Sequence, residues 1–262
     1  MVIEKCQVCI GDPACENQVD SRCLPVPVFG DLTKPHLKVV TIGLNPALNE
    51  FLDRGQAVER SQRLAMLEDY QVATRADLSP MNVFDAKKRR EEYFANPDRN
   101  WAAYFERMES VLTRVQPAWT YVMGSAAHID IVACATKDRW GDLTNECKTA
   151  LTKNCRTHFV NSLTSLPNGT VILGDGQRTK QALGQLGLDF IIEKTERINI
   201  LKIPIDTGWV GKIKTGDKIY PFLGWSAPVG TLSVLWRVDL ANWIHRQLYP
   251  KAKWPTSEAH RR

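Results

Sequence analysis

The sequence predicts a three-layer α/β/α fold built on a short, mostly parallel sheet of four or five strands. Short β-branched apolar runs alternate with longer segments whose apolar residues recur at helical spacing. That alternation builds a parallel sheet with helices on both faces. Several of the short runs end at Gly, where a strand gives way to a turn. The chain has 262 residues, 44% of them hydrophobic and 24% charged, which suits one folded domain with a substantial core.

Leu37 to Gly43 is the first strand, and Asn45-Pro46 directly after it shapes a loop. Residues 52–100 read as a polar insertion, with Lys87-Lys-Arg-Arg90 beside Glu91-Glu92 on a solvated face. From Trp101 to Val115, Trp101, Tyr104, Phe105, Met108, Val111 and Leu112 share one side of a helix. His128 to Ala133 is the second strand, and 143–166 can be helical. Pro167-Asn-Gly169 marks a turn, Thr170 to Gly174 the third strand, and Gln177 to Leu186 a helix. Ile198 to Pro204 is a fourth strand, followed by a Gly- and Lys-rich loop and a short fifth element at Tyr220–Leu223. Leu232 to Leu248 closes the chain as a helix, with Leu232, Leu235, Trp236, Leu240, Trp243 and Ile244 on one apolar face. The chain reads as a single domain over 1–262, with a Cys-containing extension over 1–36 and a basic tail over 249–262.

In such sheets ligands bind beyond the carboxyl ends of the strands. The loops after Gly43, Ala133 and Gly174 and around Trp225 are therefore expected to converge. There is no internal repeat, no phosphate loop and no His-Glu-x-x-His, and Gly174-Asp-Gly176 is too short for a dinucleotide fingerprint. No apolar run approaches the roughly 18 residues of a membrane span. The first residues lack the apolar stretch of a secretory leader, so a cytoplasmic location is expected.

The net charge of +5 is unevenly placed. Residues 211–262 hold nine Lys or Arg against three acids, whereas the first 210 hold 25 against 26. Five of the eight Trp also follow residue 200: Trp209, Trp225, Trp236, Trp243 and Trp254. A basic, aromatic segment suits a nucleic-acid face, and a solvated surface over core tryptophans gives the same composition.

Thr41-Ile-Gly-Leu-Asn-Pro46, at the end of the first strand, resembles motif one of the uracil-DNA glycosylase superfamily. Phe94-Ala-Asn-Pro-Asp-Arg-Asn-Trp101 is similar to a stretch of its mismatch-specific branch, and His128 to Thr136 occupies the place of its base-reading strand. Cys6-x-x-Cys9 ahead of Val28-Phe-Gly30 resembles the iron–sulfur branch. The likeness spans about residues 28 to 245 with gaps and mixes features of the mismatch-specific, single-strand-selective and iron–sulfur branches. It implies a uracil-DNA glycosylase-like fold and a monofunctional glycosylase that leaves an abasic site. DNA is the implied partner, with no membrane and a monomeric state.

The resemblance assigns Asn45 to hold the attacking water, Ser226 and nearby backbone N–H groups to the departing base, and Leu44, Phe94 and His128 to the base pocket. Asn45 holds a water through its carbonyl oxygen but is no strong base, so its chemistry rests on positioning and electrostatics. Asn45 also suits a plain turn before Pro46, and Phe94 a plain core position. Asp130 stands where the uracil-specific branches often carry Asn. An ionised carboxylate only accepts hydrogen bonds, and Asp pairs naturally with the exocyclic amine of cytosine. Asp130 therefore joins the catalytic and base-binding candidates and points to a modified cytosine, such as a hypermodified phage base, in an anti-phage role. Orienting His128 is the plainer role for Asp130.

The last-loop motif of the superfamily is replaced here by Gly224-Trp-Ser-Ala-Pro-Val-Gly230, which has no His or Asn in the expected place. Trp225 is a candidate wedge in the duplex, and Lys212, Lys214 and Lys218 are candidate phosphate contacts. A non-catalytic DNA-binding protein of the same fold is the alternative, and a small-molecule hydrolase or nucleotide-binding protein a third. The chemistry requires no cofactor. The seven cysteines leave three readings: a structural [4Fe–4S] cluster on Cys6, Cys9, Cys134 and Cys155 as the resemblance implies, zinc on Cys6, Cys9, Cys15 and Cys23, or free thiols.

Overall fold

The computed structural model describes residues 2–52, 63–95, 103–200 and 203–251, with backbone alone at 199–200 and 203–206. Trp101, Trp254, most of the basic tail and part of the polar insertion lie outside these residues. The strands are β1 (Val28–Phe29), β2 (Val39–Gly43), β3 (Ala126–Asp130), β4 (Val171–Asp175), β5 (Asp189–Ile200), β6 (Ile203–Thr215) and β7 (Lys218–Trp225). They form one sheet in the order β1-β3-β2-β4-β7-β6-β5. The helices are α1 (Pro80–Glu91), α2 (Ala103–Val115), α3 (Asn145–Ser165), α4 (Gln177–Gln185) and α5 (Val234–Leu248).

The α/β class and its three layers are as expected, but the sheet is mixed and seven-stranded rather than four- or five-stranded. Its centre, β3-β2-β4-β7, is parallel throughout. β1 adds an antiparallel edge to β3, and β5 and β6 extend the other side as a long antiparallel hairpin. The segment expected to be a Gly- and Lys-rich loop is most of β6. There Trp209, Ile213 and Thr215 are buried while Lys212 is half-buried and Lys214 exposed, a period of two that defines a strand. The second strand ends at Asp130, and Ile131 and Val132 continue as a buried turn tied to Gly43 and Leu44 by backbone bonds of 3.2 and 2.8 Å.

Alternating side chains of the central strands feed two cores. Val40, Ile42, Ile129 and Ile172 pack with Leu151, Phe159 and Leu163 of α3 and Leu183 of α4. Val39, Val171, Leu173 and Leu223 face Met108, Val111 and Leu112 of α2 and Leu240, Trp243 and Ile244 of α5. Each such aliphatic side chain removed from water contributes about 1.5–3 kcal/mol, before chain entropy is subtracted.

The polar insertion carries α1, a helix not expected from its charge runs. Ser79 caps it, its hydroxyl accepting from Asn82 N at 3.2 Å, and Pro80 holds the first helical position. Arg89 pairs with Asp85 and Asp69 at 2.7 and 3.2 Å, and Arg90 with Glu4, so these cations tie the insertion down rather than lie free in solvent.

Candidate functional site

β2 ends at Gly43 against Asp130 of β3, and the chain leaves the sheet as Leu44-Asn45-Pro46. From the middle of the sheet, β3 lies on one side of β2 and β4 on the other. The carboxyl end of β2 is thus a topological switch point, where open α/β sheets hold ligands. A cavity of about 580 Å³ sits there. Phe29, Tyr104 and Phe105 form aromatic wall, and Asn45, Glu50, His128, Asp130, Asp175, Arg178 and Ser226 bring polar groups.

Asn45 is half-buried, and its amide nitrogen donates to Pro46 O at 3.2 Å and Thr136 Oγ1 at 3.1 Å. Thr136 in turn donates to Asp138 O at 2.7 Å. Both amide hydrogens have acceptors, which fixes the amide plane and leaves Oδ1 as the group for a ligand or water.

His128 and Asp130 are buried, and Nε2 lies 3.2 Å from Asp130 Oδ1. On the other side His128 Nδ1 lies 2.8 Å from Thr41 Oγ1, which lies 2.7 Å from the Tyr121 hydroxyl. With Asp130 ionised, Nε2–H donates to the carboxylate. Burial pushes the Asp130 carboxyl above the usual carboxylate range, and the charge and hydrogen bond of His128 pull it back in part.

Ser226 lines the cavity, yet its Oγ accepts from Thr207 N at 3.1 Å. Its carbonyl accepts from Gln177 N at 2.9 Å, and Asp175 Oδ1 accepts from Val229 N at 2.8 Å. These bonds sew the loop after β7 to the start of α4.

Leu44, Asn45, His128, Asp130 and Ser226 therefore meet as expected. Phe94 does not line the cavity. It is 2% exposed and stacks on Tyr121 with centroids 4.4 Å apart, behind Phe105. The aromatic surface comes from Phe29, Tyr104 and Phe105 instead. Trp225 is fully buried in the core, so it is no wedge. The register places it at the carboxyl end of β7, while Lys218 lies at the opposite end and Lys212 and Lys214 pair beside that end. Lys212 meets Glu193 at 2.6 Å, and Lys218 donates to Thr164 O and Leu166 O at 2.7 and 2.8 Å. None of these lysines lines the cavity.

Sequence reasoning missed Glu50, Tyr104, Thr136, Asp175 and Arg178 as parts of one site. The usable signal was Gly174-Asp-Gly176, a strand-to-helix turn that aims Asp175 into the cavity. Glu50 receives a hydrogen bond from the Tyr93 hydroxyl.

The Sγ atoms of Cys9, Cys134 and Cys155 lie within 4.8 Å of one another, all buried. Cys9 and Cys155 are 3.7 Å apart. Cys6 is not part of this group: its carbonyl accepts from Arg75 at 2.7 Å. Cys15 lies 3.0 Å from Cys147, and Cys23 presents its carbonyl to Arg75, so neither four-Cys set assembles among the described residues. Hydrogen bonds from Cys155 and Cys9, and the nearby Arg75 cation, hold the Cys134 thiol well below its usual range despite burial. The same bonds to Cys134 push Cys9 and Cys155 up.

No protein-family model, no curated protein and no solved structure matches the chain. Fold and site define an α/β protein with a ligand-sized cavity at the switch point of its sheet. No helix among the described residues is long and apolar enough to cross a membrane.

Proposed function

We propose that the protein is a monofunctional DNA glycosylase of the uracil-DNA glycosylase type. It would take a flipped base into the cavity at the end of β2 and hydrolyse its N-glycosidic bond, leaving an abasic site. The observation that carries this reading is the amide of Asn45, locked by Pro46 and Thr136 with Oδ1 left to hold water. Holding the nucleophile in line is how an Asn without basic strength contributes.

The cavity suits a base larger than a plain pyrimidine, its 580 Å³ lying within the usual range of about 300–1,000 Å³. Asp130 suits an amine-bearing base, because its carboxylate accepts from cytosine N4. A modified cytosine is therefore the proposed substrate class, and removal of phage-type bases the proposed role. Val234 and Leu235, exposed at the start of α5, replace Trp225 as the apolar pair available to fill the space of the flipped base. Arg178, exposed beside the cavity, replaces the three lysines as a phosphate contact.

The Cys9–Cys134–Cys155 group supports a structural thiolate site. Its 3.7 Å Sγ separation suits one tetrahedral ion such as zinc, for which Zn–S bonds of about 2.3 Å give about 3.8 Å between sulfurs. Three thiols are one short of the four protein ligands of either a closed zinc site or a [4Fe–4S] cluster.

A second reading, a DNA-binding protein without catalysis, draws on the loop after β7, which has no His or Asn beside Ser226. Base release separates the two. The wild type should liberate base from DNA carrying hydroxymethylcytosine or its glucosylated form. Asn45→Ala should abolish release and keep DNA binding. Release from uracil alone would overturn the cytosine assignment, and unchanged release by Asn45→Ala would overturn the site.

A further inference from the structure

One residue of the cavity wall carries a buried polar group without a partner among the described residues. The Tyr104 hydroxyl is buried and has no hydrogen-bond partner among the described residues. Tyr104 sits on α2 and lines the cavity, its ring edge-on to His128 with centroids 5.5 Å apart. A buried hydroxyl left unpaired opposes folding, and on a cavity wall a ligand can complete it. The neighbouring polar groups are otherwise engaged: His128 between Thr41 and Asp130, Asn45 with Thr136, and Ser226 with Thr207. Burial, together with the charges of Asp175 and Asp130, keeps the Tyr104 phenol protonated and therefore a donor.

We propose that Tyr104 is a catalytic residue whose hydroxyl donates to the ring carbonyl oxygen of the flipped base and holds the departing base anion. This rests on the glycosylase reading above and adds a donor from α2 opposite the loop after β7. In the reaction, the bond from the sugar anomeric carbon to the base nitrogen breaks, and its electron pair enters the base. That charge spreads to the ring carbonyl, where the Tyr104 O–H meets it. The water held by Asn45 bonds to the anomeric carbon and releases one proton to solvent. The base takes one proton from solvent, so one water is consumed and nothing is oxidised or reduced. Tyr104 and Asp130 then present a donor and an acceptor to one edge of the base, matching the carbonyl and the amine of a cytosine.

Tyr104→Phe removes the hydroxyl and keeps the ring. Single-turnover base release should fall about 10²–10³-fold, as for loss of one donor to a developing oxyanion. Thermal stability should hold or rise, because an unpaired group has been removed. The deficit should shrink for 5-fluorinated cytosine, whose anion leaves more readily and needs the donor less. A wild type that releases base and a Tyr104→Phe protein that matches it would overturn the role of Tyr104 and leave the glycosylase reading standing. A Tyr104→Phe protein that loses stability and regains full rate at a lower temperature would make the hydroxyl structural and also overturn it. A wild type that releases no base from uracil, cytosine, hydroxymethylcytosine or glucosylated hydroxymethylcytosine DNA would overturn the reading and this role with it.

Discussion

Gly43 and Asp130 face each other across β2 and β3, and a Cβ on Gly43 would lie 2.6 Å from Asp130 Oδ1 and 2.7 Å from His128 Nε2. The glycine is therefore the space in which the His128–Asp130 pair closes. Gly43→Ala must push that pair apart or into the cavity. The expected cost is about 1–3 kcal/mol, as for overpacking elsewhere in protein interiors, read by urea denaturation. Base release should fall with it.

Thr136 holds Asn45 from 91 residues away in sequence. Thr136→Val keeps the shape and removes the hydroxyl, freeing the amide to rotate. A drop in kcat of roughly 10-fold with little change in KM is expected, because positioning rather than binding is lost. Thr136→Ser should restore most of the rate. Equal kcat values for Val and Thr would show that Asn45 needs no such anchor.

Asp130 makes stability depend on pH. Burial raises its folded pKa above the unfolded value near 3.8, so the folded chain binds this proton more tightly than the unfolded chain. That contribution is complete below the ordinary carboxylate range and is lost as pH rises through the raised value. Asp130→Asn does not titrate. Its stability relative to the wild type should rise with pH across that window, in denaturation curves taken from about pH 3.5 upward. The opposite slope would mean that His128 outweighs burial.

Lys218 closes the end of α3, and Lys214 is exposed at the far end of β6. Lys218→Ala should cost about 1 kcal/mol through the lost carbonyl contacts, and Lys214→Ala less than about 0.5 kcal/mol. Neither should alter the salt dependence of DNA binding. A flatter slope for either variant would place DNA at that end of the sheet.

The thiols of Cys9, Cys134 and Cys155 give the metal proposal its check. Protein purified without chelator should carry about one zinc per chain, and Cys134→Ser should lose it together with several degrees of Tm. Wild-type protein free of metal and equally stable in a strong chelator would establish three plain thiols around Arg75.

Much of the frame was legible locally. Val39–Gly43, Val171–Asp175, α3 and α5 each follow from periodicity within five to twenty residues, and Asn45 and Asp130 announced themselves at strand ends. The hairpin of β5 and β6 did not, because its glycines and lysines carry the composition of a loop; only its pairing with β7 shows the two-residue period at work.

The sequence by itself determined the alternating strands and helices, the Gly43-Leu-Asn-Pro46 turn and the uneven charge. The tertiary structure decided which groups share the cavity. It brought in Glu50, Tyr104, Asp175 and Arg178, set Thr136 behind Asn45, moved Phe94 and Trp225 into the core, and kept the lysines out of the cavity lining. The reason is physical: side-chain periodicity acts over a few residues, whereas the cavity is assembled by strand register and helix packing between segments far apart in sequence, from Phe29 to Pro228.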